Sequence, residues 1–335
     1  MAVGPLDGIR VVEVASWLAA PGATALMADM GADVIKVEPP QGDYYRGYML
    51  DRRGPDGVNV NFELDNRGKR SITVDLERDG ASEVIYRLCS RADIFVTNLI
   101  LARLERYGLH FEAIQQANAR IVYAALSGYG YRGPKANRPG FDGGAFWAES
   151  GIMALLGEEG TPLVGSRGGQ GDHPTSLNLL AATLAALRLR DITGEGQFVD
   201  VALQRTGMWT IATDLQAALN LGTGQPPRAN RAYRGMVTWA PYQTADGRWI
   251  MLMMNQPERY WNRFARALAR PEWIDDRRYT TVSALLQDGA ELLPEIEAIF
   301  RDRSFAEWVD RLDAEGCLWA SVALLEEVIN DTQLL

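Results

Sequence analysis

Through its first half the chain alternates short apolar runs with stretches of helical pattern, and that alternation leaves few folds open. Ile9–Ala15 and Ala32–Glu38 read as strands. Between them Pro21 suits the first turn of a helix, where its fixed φ is already helical, and Gly31 suits the left-handed position past its end. Further strands follow at Arg70–Leu76, Asp93–Leu99 and Arg120–Gly128, with helices at Ala81–Arg91, Leu101–Tyr107 and Phe111–Ala117. Short apolar strands between helices are covered on both faces, so the pattern predicts an α/β fold around a mostly parallel sheet with right-handed crossovers. Sheets of this kind bind ligands beyond the carboxyl ends of their strands.

The texture changes near Leu221. Gly222-Thr-Gly-Gln-Pro-Pro-Arg-Ala-Asn230 reads as a linker or mobile loop. Val237–Gln243 and Arg248–Met254 then flank Thr244-Ala-Asp-Gly247, a hairpin signal, and Ser304-Phe-Ala-Glu307 matches a capping box ahead of Trp308 and Leu312. The expected division is a large α/β domain at 1–200, a linker at 201–232 and a second, smaller α+β domain at 233–335.

Composition narrows the partners. A net charge of −9 argues against nucleic acid or an anionic membrane surface, so an anionic ligand needs a local basic pocket. Cys89 and Cys317 are the only cysteines and there are two histidines, which leaves no disulfide framework and no expected metal site. No signal peptide and no run of membrane-spanning length is legible, and the expected compartment is the cytoplasm.

Candidate chemistry centres on Gly171-Asp172-His173-Pro174-Thr175-Ser176, at the mouth of an apolar helix that runs through Leu177–Arg188 and closes at Gly194. A carboxylate among the free N–H groups of a helix start is expected to stay ionised. Asp172 is then either a structural cap or a nucleophile, and a poor general base. His173 reads equally as a base, the helix N-cap or a surface residue, and His110 as packed or surface. Gly128-Tyr-Gly-Tyr-Arg-Gly133 fits a dinucleotide fingerprint, yet Pro134, Pro139 and Gly140 keep the chain in a loop where that fingerprint needs a helix. Arg67, Lys69 and Arg70 read as a solvated loop, with a phosphate site as the sharper alternative.

Several ordered motifs together carry a resemblance. Leu6-Asp-Gly-Ile-Arg-Val-Val, Met30-Gly-Ala-Asp-Val-Ile-Lys-Val-Glu38, Asn66-Arg-Gly-Lys-Arg-Ser-Ile72, Ser127-Gly-Tyr-Gly, Pro139-Gly-Phe-Asp142, Gly171-Asp172 and Thr193-Gly-Glu-Gly-Gln-Phe-Val-Asp200 follow one another at family spacing. The chain thereby resembles the class III CoA-transferases, the group that includes formyl-CoA, carnitine and mesaconyl-CoA transferases and the α-methylacyl-CoA racemases. The resemblance implies a Rossmann-like CoA-binding domain, an interlocked homodimer, and Asp172 as the nucleophile that forms a mixed anhydride and then an aspartyl-CoA thioester. The implied substrates are an acyl-CoA donor and a carboxylate acceptor, with no permanently bound cofactor, ATP or metal.

CoA contacts implied by the same matching are Trp17, Leu18 and Ala19 beside the pantetheine, Val74, Leu76, Asn98 and Leu99 at the strand ends, and Arg106 at the basic position, with Phe141 and Asp142 near the acyl end. Departures from the family pattern include Thr97-Asn-Leu-Ile-Leu-Ala102 and Pro39, where basic residues are usual; Lys36, Arg67, Lys69 or Arg138 are then expected to neutralise the CoA phosphates. Racemases carry a histidine where this chain has Phe141, which cannot move a proton, so the transferase reading stands above a racemase or a CoA-binding protein without turnover. Trp17, Phe141, Phe146 and Trp147 suggest an aromatic wall for an apolar or aryl acyl group, although Phe146 and Trp147 fit ordinary core equally. Gly222–Gly224 is read as linker in preference to a glycine lid. Relatives continue past the position of Leu335 and return to the large domain, so a closing segment is expected to be missing here.

Overall fold

The structure, a computed structural model, describes residues 4–48, 54, 57–222, 224, 228 and 236–334. The chain divides into two compact units, Met1–Ala154 with Val164–Pro226, and Leu155–Leu163 with Pro227–Leu335. Most of the Gly222–Asn230 connector lies outside the described residues, including Thr223 of the glycine run.

The first unit is built on six parallel strands: β1 (Arg10–Val14), β2 (Asp33–Glu38), β3 (Arg70–Thr73), β4 (Ile94–Thr97), β5 (Val122–Ser127) and β6 (Phe198–Ala202). Their order in the sheet is β3-β2-β1-β4-β5-β6. Every residue of β4 and β5 is buried, which explains why they show no apolar–polar alternation. Successive side chains feed two cores. Val11, Val34, Ile94, Val96 and Leu126 pack against α1 (Ala19–Asp29) and, on the same face, a long helix that begins at Asp172. Val12, Val14, Phe95, Tyr123 and Ala125 pack on the other face against α3 (Ala81–Cys89), α4 (Leu101–Arg106) and α5 (Phe111–Ala117). The expected strands and helices of this unit are present, while α2 (Val60–Asn66), capped by Asn59, and the edge strand β6 escaped the sequence reading.

Order reverses between β1 and β4, the switch point at which a crevice opens beyond the strand ends. The chain leaving β1 there is tied to a buried set of charges. Glu13 and Lys36 face each other across β1 and β2, with Lys36 Nζ 2.7 Å from Glu13 Oε1 and 2.9 Å from Asp43 Oδ2. Lys69 Nζ reaches Glu13 Oε2 at 2.8 Å and also donates to the carbonyls of Pro21 and Asp65. This corrects the expectation that Lys36 and Lys69 serve CoA phosphates or a solvated loop: both ammonium groups are buried and committed. Arg67 pairs with Asp29, Arg70 with Asp33 and Arg138 with Glu149, so neither of the expected arginines, Arg67 and Arg138, is a free counterion either.

The remaining helices of the first unit follow in order: α6 (Ile152–Leu155) runs across the unit boundary, α7 (Asp172–Thr193) packs on α1, and α8 (Leu203–Thr210) and α9 (Ala212–Leu221) close the unit. Gly22 permits the α1–α7 approach; a Cβ there would stand 2.7 Å from Ser176 Oγ. The second unit holds β7 (Pro241–Gln243), β8 (Trp249–Leu252) and β9 (Trp319–Ser321) in an antiparallel sheet, with helices including α10 (Pro257–Ala267) around a core of Trp261, Phe264, Phe300 and Trp308. Its hairpin and the Ser304–Glu307 capping box lie where the sequence places them.

Removing one partner of a buried ion pair leaves an uncompensated charge. Lys36→Met is therefore expected to destabilise the first unit by about 3–5 kcal/mol, read as a lowered midpoint in urea unfolding monitored by circular dichroism.

Candidate active site

Beyond β1 the chain runs Ala15-Ser16-Trp17, and Asn98 at the end of β4 clips this segment, accepting from the Ser16 N–H at 3.1 Å and donating to the Ser16 carbonyl at 2.6 Å. Trp17 then adopts φ 69°, a left-handed conformation that costs a bulky L-residue on the order of 1 kcal/mol or more. The cost is met locally: the Trp17 N–H donates to Asp43 Oδ1 at 3.3 Å, and Asp43 is itself held by Lys36. The indole lies among the rings of Tyr44, Tyr45, Tyr48 and Phe141, with centroids 5.2–6.0 Å away.

Trp17 borders two cavities. The larger, about 710 Å³, lies over the ends of β1 and β2, with Val74, Leu76 and Leu99 in its wall. Its cations are Arg46 and Arg103. Arg46 is spent on a two-pronged bond to Glu38, 2.7 Å on each prong, which helps hold that carboxyl down at about 2 against the effect of its burial. Arg103 has no ion-pair partner among the described residues. Three expectations are corrected here. Arg106 points to the surface and pairs with Glu77, one helical turn from Arg103, so it does not line this cavity. Ala19 is buried as the first residue of α1, its carbonyl accepting from Ser176 Oγ, and lines neither cavity. Asn98 acts on the Ser16 backbone and is absent from both walls.

The second cavity, about 520 Å³, is where Asp172 lies, together with Asp142, Asp65, His173, Arg167 and an apolar wall of Trp17, Leu18, Leu64 and Phe141 with Tyr45 and Tyr48. Asp172 is the first residue of α7, and Gly171 occupies the cap position without any side-chain cap bond. The capping role considered for Asp172 or His173 is thus not what the structure contains. Gly171 is required by packing, because a Cβ there would stand 2.6 Å from the Phe146 ring. Phe146 is core beneath the helix start, and Trp147 packs against the same core, so neither belongs to the aromatic wall.

Asp142 opens a π-helical segment, Asp142–Ala148, and its Oδ2 accepts from the N–H groups of Gly169 and Gly171 at 3.2 and 3.4 Å. It therefore takes two of the backbone donors that precede α7. Asp172 is left with burial, with Asp142 as a like charge and with a weaker contribution from Asp65; these push its carboxyl up to about 7, against the pull of His173. The sequence reading expected the helix dipole to hold Asp172 ionised; burial and like charge outweigh that effect here. His173 Nε2 lies 3.2 Å from Asp65 Oδ1, and this bond is the main reason its imidazole is shifted upward. Asp65, Tyr45, Tyr48 and Arg103 were missed by the sequence reading; Asp65 and His173 are separated by 108 residues, and nothing local announces the pair.

A carboxylate that can be desolvated, beside an apolar pocket that adjoins a longer crevice, suits attack on an activated acyl group. Comparison with known proteins gives the family. The profile of CoA-transferase family III matches residues 6–335. The (R)-2-hydroxy-4-methylpentanoate CoA-transferase of Clostridioides difficile is 30% identical over 330 residues, covering 98% of this chain and 82% of its own length. The cinnamoyl-CoA:phenyllactate CoA-transferase of Clostridium sporogenes is 30% identical over 331 residues, covering 98% of this chain and 80% of its own. A crystal structure of a CaiB/BaiF family protein from Brucella suis superposes with a TM-score of 0.85 at 30% identity, over 99% of this chain and 87% of that one.

The Asp172 carboxyl ionises at 3.8 in ordinary surroundings and at about 7 in the fold, so the folded state binds more protons between those values. Ionised Asp172 then costs stability in full above about pH 7, and the cost fades as pH falls toward 4. Asp172→Asn is expected to raise stability at pH 8 by on the order of 2 kcal/mol, after allowance for partial exposure, with no gain near pH 4. Thermal melts across that range check this.

Proposed function

The chain belongs to CoA-transferase family III, enzymes that move CoA from an acyl-CoA thioester to a carboxylic acid, and we propose that this one does so through Asp172 as covalent nucleophile. The observation that carries the reading is the position of Asp172 at the start of α7, in a cavity bordered by the same Trp17 that borders the strand-end crevice.

In this reading the nucleotide portion of CoA lies in the larger cavity against Val74, Leu76 and Leu99, with Arg103 facing its phosphates, and the thioester passes Trp17 to reach Asp172. The Asp172 carboxylate attacks the thioester carbonyl; the C–S bond breaks, leaving an acyl-aspartyl anhydride and CoA thiolate. The thiolate attacks the aspartyl carbonyl and expels the donor's acid, giving aspartyl-CoA. An acceptor carboxylate then attacks that thioester, forming a second anhydride, and the thiolate attacks the acceptor's carbonyl to release the new acyl-CoA and free Asp172. One thioester is exchanged for another, so the protein's part is positioning and the exclusion of water from the anhydride.

The apolar wall of Trp17, Leu18, Leu64 and Phe141 favours an apolar or aryl acyl group, in keeping with the branched and aromatic acids named for the two relatives above. Phe141, unable to carry a proton, favours transfer over racemisation. Assembly as a homodimer is part of the proposal: Leu177, Ile192, Trp209 and Leu219 are large apolar side chains exposed on α7, α8 and α9.

Incubation with cinnamoyl-CoA, 4-methylpentanoyl-CoA and succinyl-CoA, followed by intact-protein mass spectrometry, is expected to give an adduct of CoA less one water that maps to Asp172 and is removed by hydroxylamine. Asp172→Ala is expected to lose the adduct and at least about a thousandfold of turnover. An adduct retained in the variant would sink the assignment.

A further inference from the structure

Asp65 lies near the end of α2 and is buried at 2% exposure, against Gly22 of α1, where a Cβ would stand 3.1 Å from its Oδ1. A carboxylate placed there needs a compensating charge. Its Oδ2 has no hydrogen-bond partner among the described residues, and Oδ1 meets His173 Nε2 at 3.2 Å. Lys69 acts on it only at longer range, because its Nζ is bonded to Glu13, to Asn66 and to backbone carbonyls, that of Asp65 among them. The other edge of the imidazole lies on Gly169, where a Cβ would be 3.1 Å from Cε1 and 3.3 Å from Nδ1. The ring is thus held between α2 and the loop before α7, next to Asp172 in the first turn of the helix. The charged groups around it are Asp65 from α2, Asp142 from the π-helical segment, Asp172 from its own helix and Arg167 from the loop.

We propose that Asp65 and His173 form a charge-holding pair for the nucleophile: Asp65 keeps the imidazole doubly protonated, and the imidazolium keeps Asp172 anionic in a pocket that otherwise favours the neutral acid. The proposal rests on Asp172 being the nucleophile. His173 is a positioning residue in this scheme; it gives no proton to the substrate, and the proton on Nε2 stays shared with Asp65. The upward shift of His173, caused first by Asp65, and the opposing pull of His173 on Asp172 run in the required directions. Coupling between two titrating sites is reciprocal, so what His173 does for Asp172 must be readable in His173 itself.

The chain has two histidines, His110 and His173, so ring-labelled histidine gives an NMR titration of two sites, with His110→Gln assigning them. Wild-type His173 is expected to titrate above the ordinary ~6.5. Asp65→Asn is expected to bring it down by about one unit, a tenfold change in proton affinity, and Asp172→Asn to lower it as well. In parallel, the rate of adduct formation is followed against pH with the acyl-CoA of the panel above that labels the wild type fastest. His173→Gln is expected to move the acidic limb upward, slowing the step about tenfold at pH 6, with the alkaline plateau kept; Asp65→Asn should match it, and the double variant should add nothing. A His173 that titrates at or below 6.5, or that ignores Asp65→Asn, overturns the proposal, as does loss of the plateau at every pH in His173→Gln. Failure of the nucleophile reading is seen separately, as an adduct that persists in Asp172→Ala.

Discussion

The Glu13 carboxylate, fully buried and shared by Lys36 and Lys69, is the contact on which the rest of the first unit depends. Glu13 belongs to β1, Lys36 to β2, Lys69 to the segment entering β3, and Thr24 of α1 donates to the same carboxylate. One side chain thereby joins three parallel strands to the helix that covers them. Burial alone would drive Glu13 toward its neutral form, yet the two lysines hold its carboxyl below the ordinary value, while Lys69 is lowered to about 8. Lys36 extends the set to Asp43, and Asp43 receives the backbone N–H of Trp17. The left-handed turn at the mouth of both cavities is thus an outcome of charge balance inside the sheet.

Around Asp172 the charge balance is different in kind. Inside the sheet, two carboxylates meet two ammonium groups, whereas the smaller cavity gathers three carboxylates with one imidazole and one guanidinium. Asp142 accepts from backbone N–H groups and one oxygen of Asp65 meets His173, so the group left with the least compensation is Asp172. A carboxylate in that condition is more basic than a solvated one and less shielded by water, which suits the nucleophilic role proposed for it. Its position is fixed by apolar packing, with Phe146 against Gly171.

Elements that follow from local pattern were legible in the sequence. β1, β2, β4, β5 and the helices α3, α4 and α5 come from apolar periodicity, and the Ser304 capping box comes from spacing alone. The element α2 was not, because Val60 and Leu64 are about half exposed and Phe62 alone of its apolar residues is buried. β9 has three residues, too few for a period to register. Asp172 stood out as a carboxylate at a helix start, but its protonation depends on Asp142 and Asp65, which only the fold brings near. Lys36 and Lys69 were misplaced for the same reason: a lysine is read as solvated unless its partner is known, and each partner here lies on another element. Arg106 was one turn of α4 away from the cation that does line the crevice.

In the proposed reading, recognition and chemistry are carried by separate parts of this chain. The rings of Trp17, Tyr48 and Phe141 project from connecting segments, while Asp172 rides on a 22-residue helix seated on the sheet's own core. Loop residues of this kind change with little effect on the sheet or on α7, so a duplicated copy could drift among acyl groups while Asp172, the proposed nucleophile, stayed in place. Phe146 has no such freedom. It lines neither cavity, yet it sits under the first turn of α7, and drift there would move Asp172 in every descendant at once. The separation makes one catalytic frame evolvable toward many acids, with the core acting as the inherited part and the aromatic rim as the variable one.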